Sequence, residues 1–167
     1  MAVNRDEASR TQIQATYAVL QEVAEVLEDF AGAVIAGGTA PFLLIPQTLE
    51  PHEGTVDVDV VLDRLKLRSN SELTLHELFE RRLFVQDVKK PFRYSKVLQI
   101  QGAPHMVHVD LLTGGVPTPD GFVQIASEDV YATVIEGMEL AFDRPSRAEL
   151  SAGVCVDVTS IASFPAM

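Results

Sequence analysis

The spacing of apolar and polar positions changes period several times along the chain. From Thr11 to Phe30, apolar side chains recur at Ile13, Tyr17, Leu20, Val23, Ala24, Val26 and Leu27. That spacing predicts an amphipathic helix, with Gly32 as its stop. Ala33 to Ala36 is a short unbroken apolar run and predicts a buried strand ending at the pair Gly37-Gly38. Thr39 to Gln47 has helical character, with Pro41 tolerated in a first turn. After a turn-rich stretch, Val56, Val58 and Val60 alternate with Asp57 and Asp59, and Val61-Leu62 continue the pattern, which predicts a strand.

The second half reads less evenly. Leu65 to Ser71 is expected to be a loop. Leu73 to Phe84 reads as a helix with Leu75, Leu78, Phe79 and Leu83 facing inward. Beyond Pro91, Arg93 to Gln101 and Met106 to Leu112 predict two antiparallel strands turning at Gly102-Ala103-Pro104. A Gly- and Pro-rich loop is expected over Thr113 to Gly121, then a short helix near Glu128 to Val134. Strands are expected near Met138 to Phe142 and Val154 to Val158. Helical and strand segments thus interleave, and the expected fold is α/β (α+β), a mixed sheet flanked by helices.

Length fits one domain over 1–167, and 47% apolar residues suffice for a core. No window holds the 18 or more apolar residues of a membrane span, and MAVNRDEASR at the N-terminus lacks the apolar stretch of a secretory signal. The single cysteine, Cys155, has no internal disulfide partner and reads as a core residue. These features make a cytoplasmic location the expectation, with no membrane partner.

A net charge of -11 argues against a protein that coats nucleic acid through a global positive field. The charge is uneven, however. Nine of the thirteen Lys and Arg residues lie between Arg64 and Lys96, opposed there by Glu72, Glu77, Glu80 and Asp87, so that segment is locally about +5. It reads either as a solvated surface or as a region that faces a phosphate-bearing ligand.

Asp57 and Asp59 are two apart on one strand, so both carboxylates point to the same face. Two like charges in a buried setting are costly unless a cation lies between them or one takes a proton. Asp110 sits within a second apolar strand, after Met106, Val107 and Val109. If the two strands are neighbours, the three carboxylates converge, and oxygen-only donors suit hard ions such as Mg²⁺ or Mn²⁺. The Gly37-Gly38 pair between a strand and a helix start leaves backbone N–H groups open to a phosphate.

Three segments taken in order, Ala36-Gly37-Gly38-Thr39-Ala40, His52 to Val60 with its Gly-Thr-Val-Asp-Val-Asp core, and Val107-His108-Val109-Asp110-Leu111-Leu112, resemble the nucleotidyltransferase superfamily. The likeness within it is to the AbiEii-like group, which includes toxins of type IV toxin–antitoxin systems. The resemblance implies that Asp57, Asp59 and Asp110 bind the metal ions and that Asp110 serves as base toward the incoming hydroxyl. It implies that Gly37, Gly38 and Thr55 hold a nucleoside triphosphate such as ATP. Arg93 and Lys96 are the basic residues expected to approach that triphosphate. The implied reaction moves a nucleoside monophosphate from an NTP to a hydroxyl on tRNA, a protein or a small molecule. An antitoxin protein is an implied partner.

This sequence departs from the pattern in three places. Eighteen residues separate Gly38 from Asp57, and Glu53 stands where relatives often carry an arginine. Relatives also continue into a helical region bearing a triphosphate-binding lysine, so the expectation here is the catalytic domain alone. The alternative is a non-catalytic nucleotide- or partner-binding module of the same fold, and a further one is a metal-dependent phosphodiesterase or nuclease. Among the remaining residues, His108 is expected to be a hydrogen-bonded supporting histidine. His52 is expected in a loop, and His76 and His105 at the surface. Ser69 and Ser71 lack the setting of a nucleophile.

Overall fold

The computed structural model describes residues 5–44, 57–150 and 153–159. Helix α1 (Arg5–Leu27) is followed by the short strand β1 (Phe30–Ala31) and by β2 (Ala33–Ala36). A 3-10 turn over Gly37–Thr39 leads into α2 (Ala40–Leu44), so the helical expectation for Thr39 to Gln47 is met as far as Leu44, and the rest lies outside the described residues. Then come β3 (Asp57–Leu62), β4 (Arg68–Ser69), α3 (Leu75–Arg81), β5 (Val85–Gln86), β6 (Arg93–Ile100) and β7 (Ala103–Gly114). The chain closes with β8 (Phe122–Ile125), β9 (Val130–Ile135), β10 (Ser146–Glu149) and β11 (Cys155–Val158).

The fold is mixed α/β. One nine-stranded sheet runs β10-β11-β2-β3-β7-β6-β5, with β9 joined to β7 and β8 to β9. β3 and β7 are parallel, whereas β2 with β3 and β6 with β7 are antiparallel. The β6–β7 hairpin turns on Gln101 and Gly102, both at positive φ (52° and 80°). That pair is the backbone a two-residue primed turn requires, and it matches the right-handed twist of the strands it joins.

Strand period explains the two faces of the sheet. Val58, Val60 and Leu62 of β3, Val107, Val109 and Leu111 of β7, Ile35 of β2 and Tyr94 of β6 are all fully buried on one face. Against them α1 lays Ala15, Val19, Leu20, Val23 and Ala24, each 1% exposed or less. α3 adds Leu75 and Phe79, with Phe79 stacked near Tyr94 at 4.9 Å between ring centres. Truncating one of these large side chains costs about 2–5 kcal/mol through lost transfer energy and the cavity left behind. The other face carries a smaller cluster, Val34, Ala36, Val61, Met138 and Ala141, at one end only. Asp57, Asp59 and Asp110 share that second face, where the apolar cover stops.

Several expectations are corrected. Val130–Ile135 is a strand where a helix near Glu128 to Val134 was expected, because Val130, Ala132 and Val134 alternate inward and pair with β7 and β8. Only a 3-10 turn over Ala126–Glu128 precedes it. Met138–Phe142 is a 3-10 turn rather than a strand: Gly137 at φ 82° bends the chain, and Met138 and Ala141 plug the second face. Within the expected loop Leu65 to Ser71, β4 pairs with β1. Strands β8 and β10 were not anticipated. Cys155 is half-buried at the start of β11, and it is Val156 and Val158 that enter the core.

Candidate functional site

Strand register brings the aspartates together. Asp59 on β3 lies directly opposite Asp110 on β7, and Ala36 on β2 lies opposite Asp59 from the other side. Arg93, the first residue of β6, lies opposite Asp110. Ala36, Asp59, Asp110 and Arg93 therefore form one row across four strands. Asp57, His108 and Ser95 form the next row. These side chains project from the face opposite α1, which is why charged groups are tolerated between apolar neighbours.

Gly37 closes the row. It follows β2 with φ +66°, and a Cβ built there would sit 1.9 Å from Oδ2 of Asp59. Only glycine gives the Asp59 carboxylate this space and adopts this backbone without strain. Gly38 is half-buried in the same turn, and Thr39 Oγ1 donates to the Ala36 carbonyl at 3.3 Å. The expected site residue Thr55 lies outside the described residues.

Arg93 grips Asp110 through two hydrogen bonds, Nε to Oδ1 at 2.7 Å and Nη2 to Oδ2 at 2.6 Å. The same Nη2 lies 3.9 Å from Oδ2 of Asp57. This two-pronged geometry is the strong form of a carboxylate–guanidinium contact. The Asp110 side chain is 14% exposed, so the contact is shielded from water. Arg93 is held protonated more firmly than usual by its hydrogen bonds to Asp110. Asp59 behaves in the opposite sense. Burial, then the charges of Asp110 and Asp57, push its carboxyl up to about 6, against a smaller downward pull from Arg93.

The Arg93 guanidinium thus contacts two of the three carboxylates, Asp110 and Asp57, and Asp59 stands beside them on a partly buried oxygen donor set. That chemistry fits a hard divalent cation. Among the described residues no three His, Cys, Asp or Glu side chains are arranged as a group that could hold a metal ion.

No family model, curated protein or solved structure matches this chain. The geometry therefore carries the functional argument alone.

The expected Lys96 contact is corrected by strand parity. Lys96 is an odd number of residues from Arg93 on β6 and emerges on the α1 face. There its ammonium pairs with Glu22 and donates to the Arg82 carbonyl at 2.8 Å, 5.1 Å above the Phe84 ring. Much of the basic segment is spent similarly. Arg82 pairs with Glu25 at 2.6 Å, and Lys66 with Asp63 at 3.6 Å. Charge counting along the sequence is blind to pairing with a helix 57 or 74 residues away.

The histidines divide differently from the expectation. His108 is hydrogen-bonded as expected, its Nδ1 2.8 Å from Ser95 Oγ. His76 is not a surface bystander: its Nδ1 lies 2.8 Å from the buried Tyr94 hydroxyl. His105 is half-buried, with Nδ1 3.1 Å from Gln12 Oε1. The signal for His76 was present, since it shares a helix face with Phe79, but a polar residue at such a position reads as solvent-facing until its partner is known.

A concavity of about 310 Å³ lies away from the aspartates, at the far end of β3. Arg64, Arg68, Ser71, Thr74, Ser127 and Glu128 line it. Glu128 is buried there, and its Oε2 accepts from the Leu75 amide at 3.1 Å. Burial pushes its carboxyl above the usual range. The contact satisfies an orphan amide at the start of α3, beside the Thr74–Glu77 capping box. A structural role therefore accounts for Glu128.

Proposed function

We propose that the chain is a metal-dependent nucleotidyltransferase domain that moves a nucleoside monophosphate from an NTP to a hydroxyl acceptor. The observation that carries this reading is the row joining Asp59, Asp110 and Arg93, with Asp57 beside it and Gly37 against Asp59. Residues far apart in sequence converge where a triphosphate would find three carboxylates and a tight glycine turn.

In this reading Asp57, Asp59 and Asp110 hold Mg²⁺ or Mn²⁺. A cation held there would supply charge neutralisation to the phosphates and lower the pKa of the acceptor hydroxyl. Gly37 and Gly38 allow close backbone approach to the phosphates, and Arg93 offers a planar fork to phosphate oxygens. The acceptor hydroxyl oxygen bonds to the α-phosphorus, the bond to the β-phosphate oxygen breaks, and pyrophosphate leaves. Asp110 orients that hydroxyl and takes its proton. The three carboxylates and the single guanidinium make positioning and charge stabilisation the main contributions of the protein. Toxin activity held in check by an antitoxin belongs to this proposal, as does a tRNA, protein or small-molecule acceptor.

The test is a thermal-shift panel with ATP, GTP, CTP and UTP, with and without Mg²⁺, on the native chain and on Asp57→Asn/Asp59→Asn. Stabilisation follows the logarithm of ligand concentration over its dissociation constant. A metal-dependent shift with at least one NTP, absent from the variant, is expected. Equal shifts in both proteins, or none in either, would overturn the reading.

A second reading is a non-catalytic nucleotide- or partner-binding module. It draws support from Arg93, whose guanidinium engages both oxygens of Asp110. This reading predicts binding of nucleotide without release of pyrophosphate for any acceptor.

A further inference from the structure

Arg93 stands where the proposed chemistry requires a different cation. Its two short hydrogen bonds take one lone pair from each oxygen of Asp110, and Nη2 already leans toward Asp57 at 3.9 Å. The guanidinium lies between two of the three carboxylates, and its side chain is 20% exposed. It enters from the first residue of β6, just after the turn in which the Arg93 amide donates to the Lys90 carbonyl at 2.8 Å. The other basic candidate of this strand, Lys96, is committed to Glu22 on the opposite face. In the row itself Arg93 is thus the basic side chain that balances the aspartates.

We propose that Arg93 is an exchangeable counter-ion: it holds Asp110 in the cation-free chain, releases it when a divalent cation binds among the aspartates, and then engages the phosphate oxygens of the nucleotide. This inference rests on the reading of the site as one for a divalent cation and a nucleoside triphosphate.

The physical reasons are competition and substitution. A divalent cation and a guanidinium repel each other and seek the same carboxylate oxygens. The compact ion with twice the charge displaces the larger, weakly hydrated one. The displaced guanidinium does not remain unpartnered, because phosphate presents the same two-oxygen edge that Asp110 did. Cation and nucleotide binding are therefore coupled: each frees or supplies the partner that the other needs, and each raises the other's affinity. The contact with Asp110 also offsets part of the repulsion among the three clustered carboxylates.

The test is Mn²⁺ binding followed by electron paramagnetic resonance on the full chain, comparing the native protein with Arg93→Gln and Arg93→Lys. Without nucleotide, Arg93→Gln is expected to bind Mn²⁺ more tightly by about tenfold, within the roughly 5- to 150-fold range typical of coupled sites. Arg93→Lys is expected to fall between. The gain in Mn²⁺ affinity caused by a non-hydrolysable ATP analogue should be present in the native chain and lost in Arg93→Gln. Because Arg93→Gln strips Asp110 of its partner and could prevent folding, an independent measurement uses the native chain. The Nε–H resonance of Arg93 in a ¹⁵N spectrum should shift on titration with Mg²⁺. If the native chain binds Mn²⁺ but Arg93→Gln binds it no better and the resonance stays put, Arg93 is a fixed part of the site; the exchange is overturned while the cation reading stands. If neither native nor variant chain binds Mn²⁺, the cation reading falls and the exchange falls with it.

Discussion

Asp59 and Asp110 lie opposite one another on neighbouring parallel strands, both on the face that α1 leaves uncovered. Two carboxylates so placed cannot both ionise at no cost, and Asp59 bears it: burial and the charges of Asp110 and Asp57 push its carboxyl up, while the two-pronged Arg93 contact goes to Asp110. The consequences for pH, for backbone tolerance and for the neighbouring basic residues are open to measurement.

With its carboxyl raised to about 6, Asp59 binds its proton more tightly in the folded chain than in the unfolded one, where an aspartate titrates near 3.8. Between about pH 4 and 6 the folded state therefore holds more protons. Stability of the cation-free chain should fall as pH rises through that window, by roughly 1–3 kcal/mol, and stay level above it. Asp59→Asn should remove this step and raise the melting temperature at pH 7. Denaturant titrations at pH 4.5 and 7 check it; an unchanged step in the variant would assign the loss to another group.

Asp59→Asn should also lose metal-dependent nucleotide stabilisation and transfer activity while being the more stable protein without ligand. A variant that keeps full transfer activity contradicts the metal-ligand role. Opposite signs for stability and function distinguish a charged site from a damaged fold.

Gly37→Ala combines a positive φ of +66° with a Cβ that would overlap Asp59 Oδ2. The backbone term alone costs roughly 1–2 kcal/mol. Displacement of the carboxylate should weaken Mn²⁺ binding further than the loss of stability accounts for. Gly102→Ala serves as the control, since its Cβ meets nothing within 4 Å although its φ is also positive. It should cost stability and leave Mn²⁺ binding unchanged.

Lys96→Met removes a partner of Glu22 and of the Arg82 carbonyl on the α1 face. Leaving a half-buried glutamate unpaired should cost about 1–3 kcal/mol. The nucleotide-induced thermal shift should be unaltered in size. Loss of that shift would place Lys96 in the site after all.

Tyr94→Phe deletes a fully buried hydroxyl whose partner is His76 Nδ1. The expected loss is roughly 1–3 kcal/mol, since the ring packing against Phe79 survives and only the hydrogen bond is lost. His76→Phe with Tyr94→Phe should recover part of it, which a double-mutant cycle by chemical denaturation would read.

The local pattern alone was enough for the existence of α1, β2, β3, α3 and the β6–β7 hairpin, because period and turn residues act within a few positions of chain. However, α3 ends at Arg81, and Leu83, expected to face inward, is exposed at φ 62°. The shared face of Asp57 and Asp59 follows from the two-residue repeat of a strand, and the glycine pair announces a turn. Local pattern failed where burial came from distant segments. Val130 to Ile135 became a strand because β7 and β8 offer it hydrogen bonds, and Met138 to Phe142 coiled because the second face needed a plug. Tertiary structure alone decided that β3 and β7 are adjacent and in a register that sets Asp59 against Asp110. It also sent Lys96 to Glu22 and Arg93 to Asp110, three residues apart on one strand. The reason is that strand parity divides side chains between two faces, while pairing and register depend on backbone hydrogen bonds between segments that no local pattern connects.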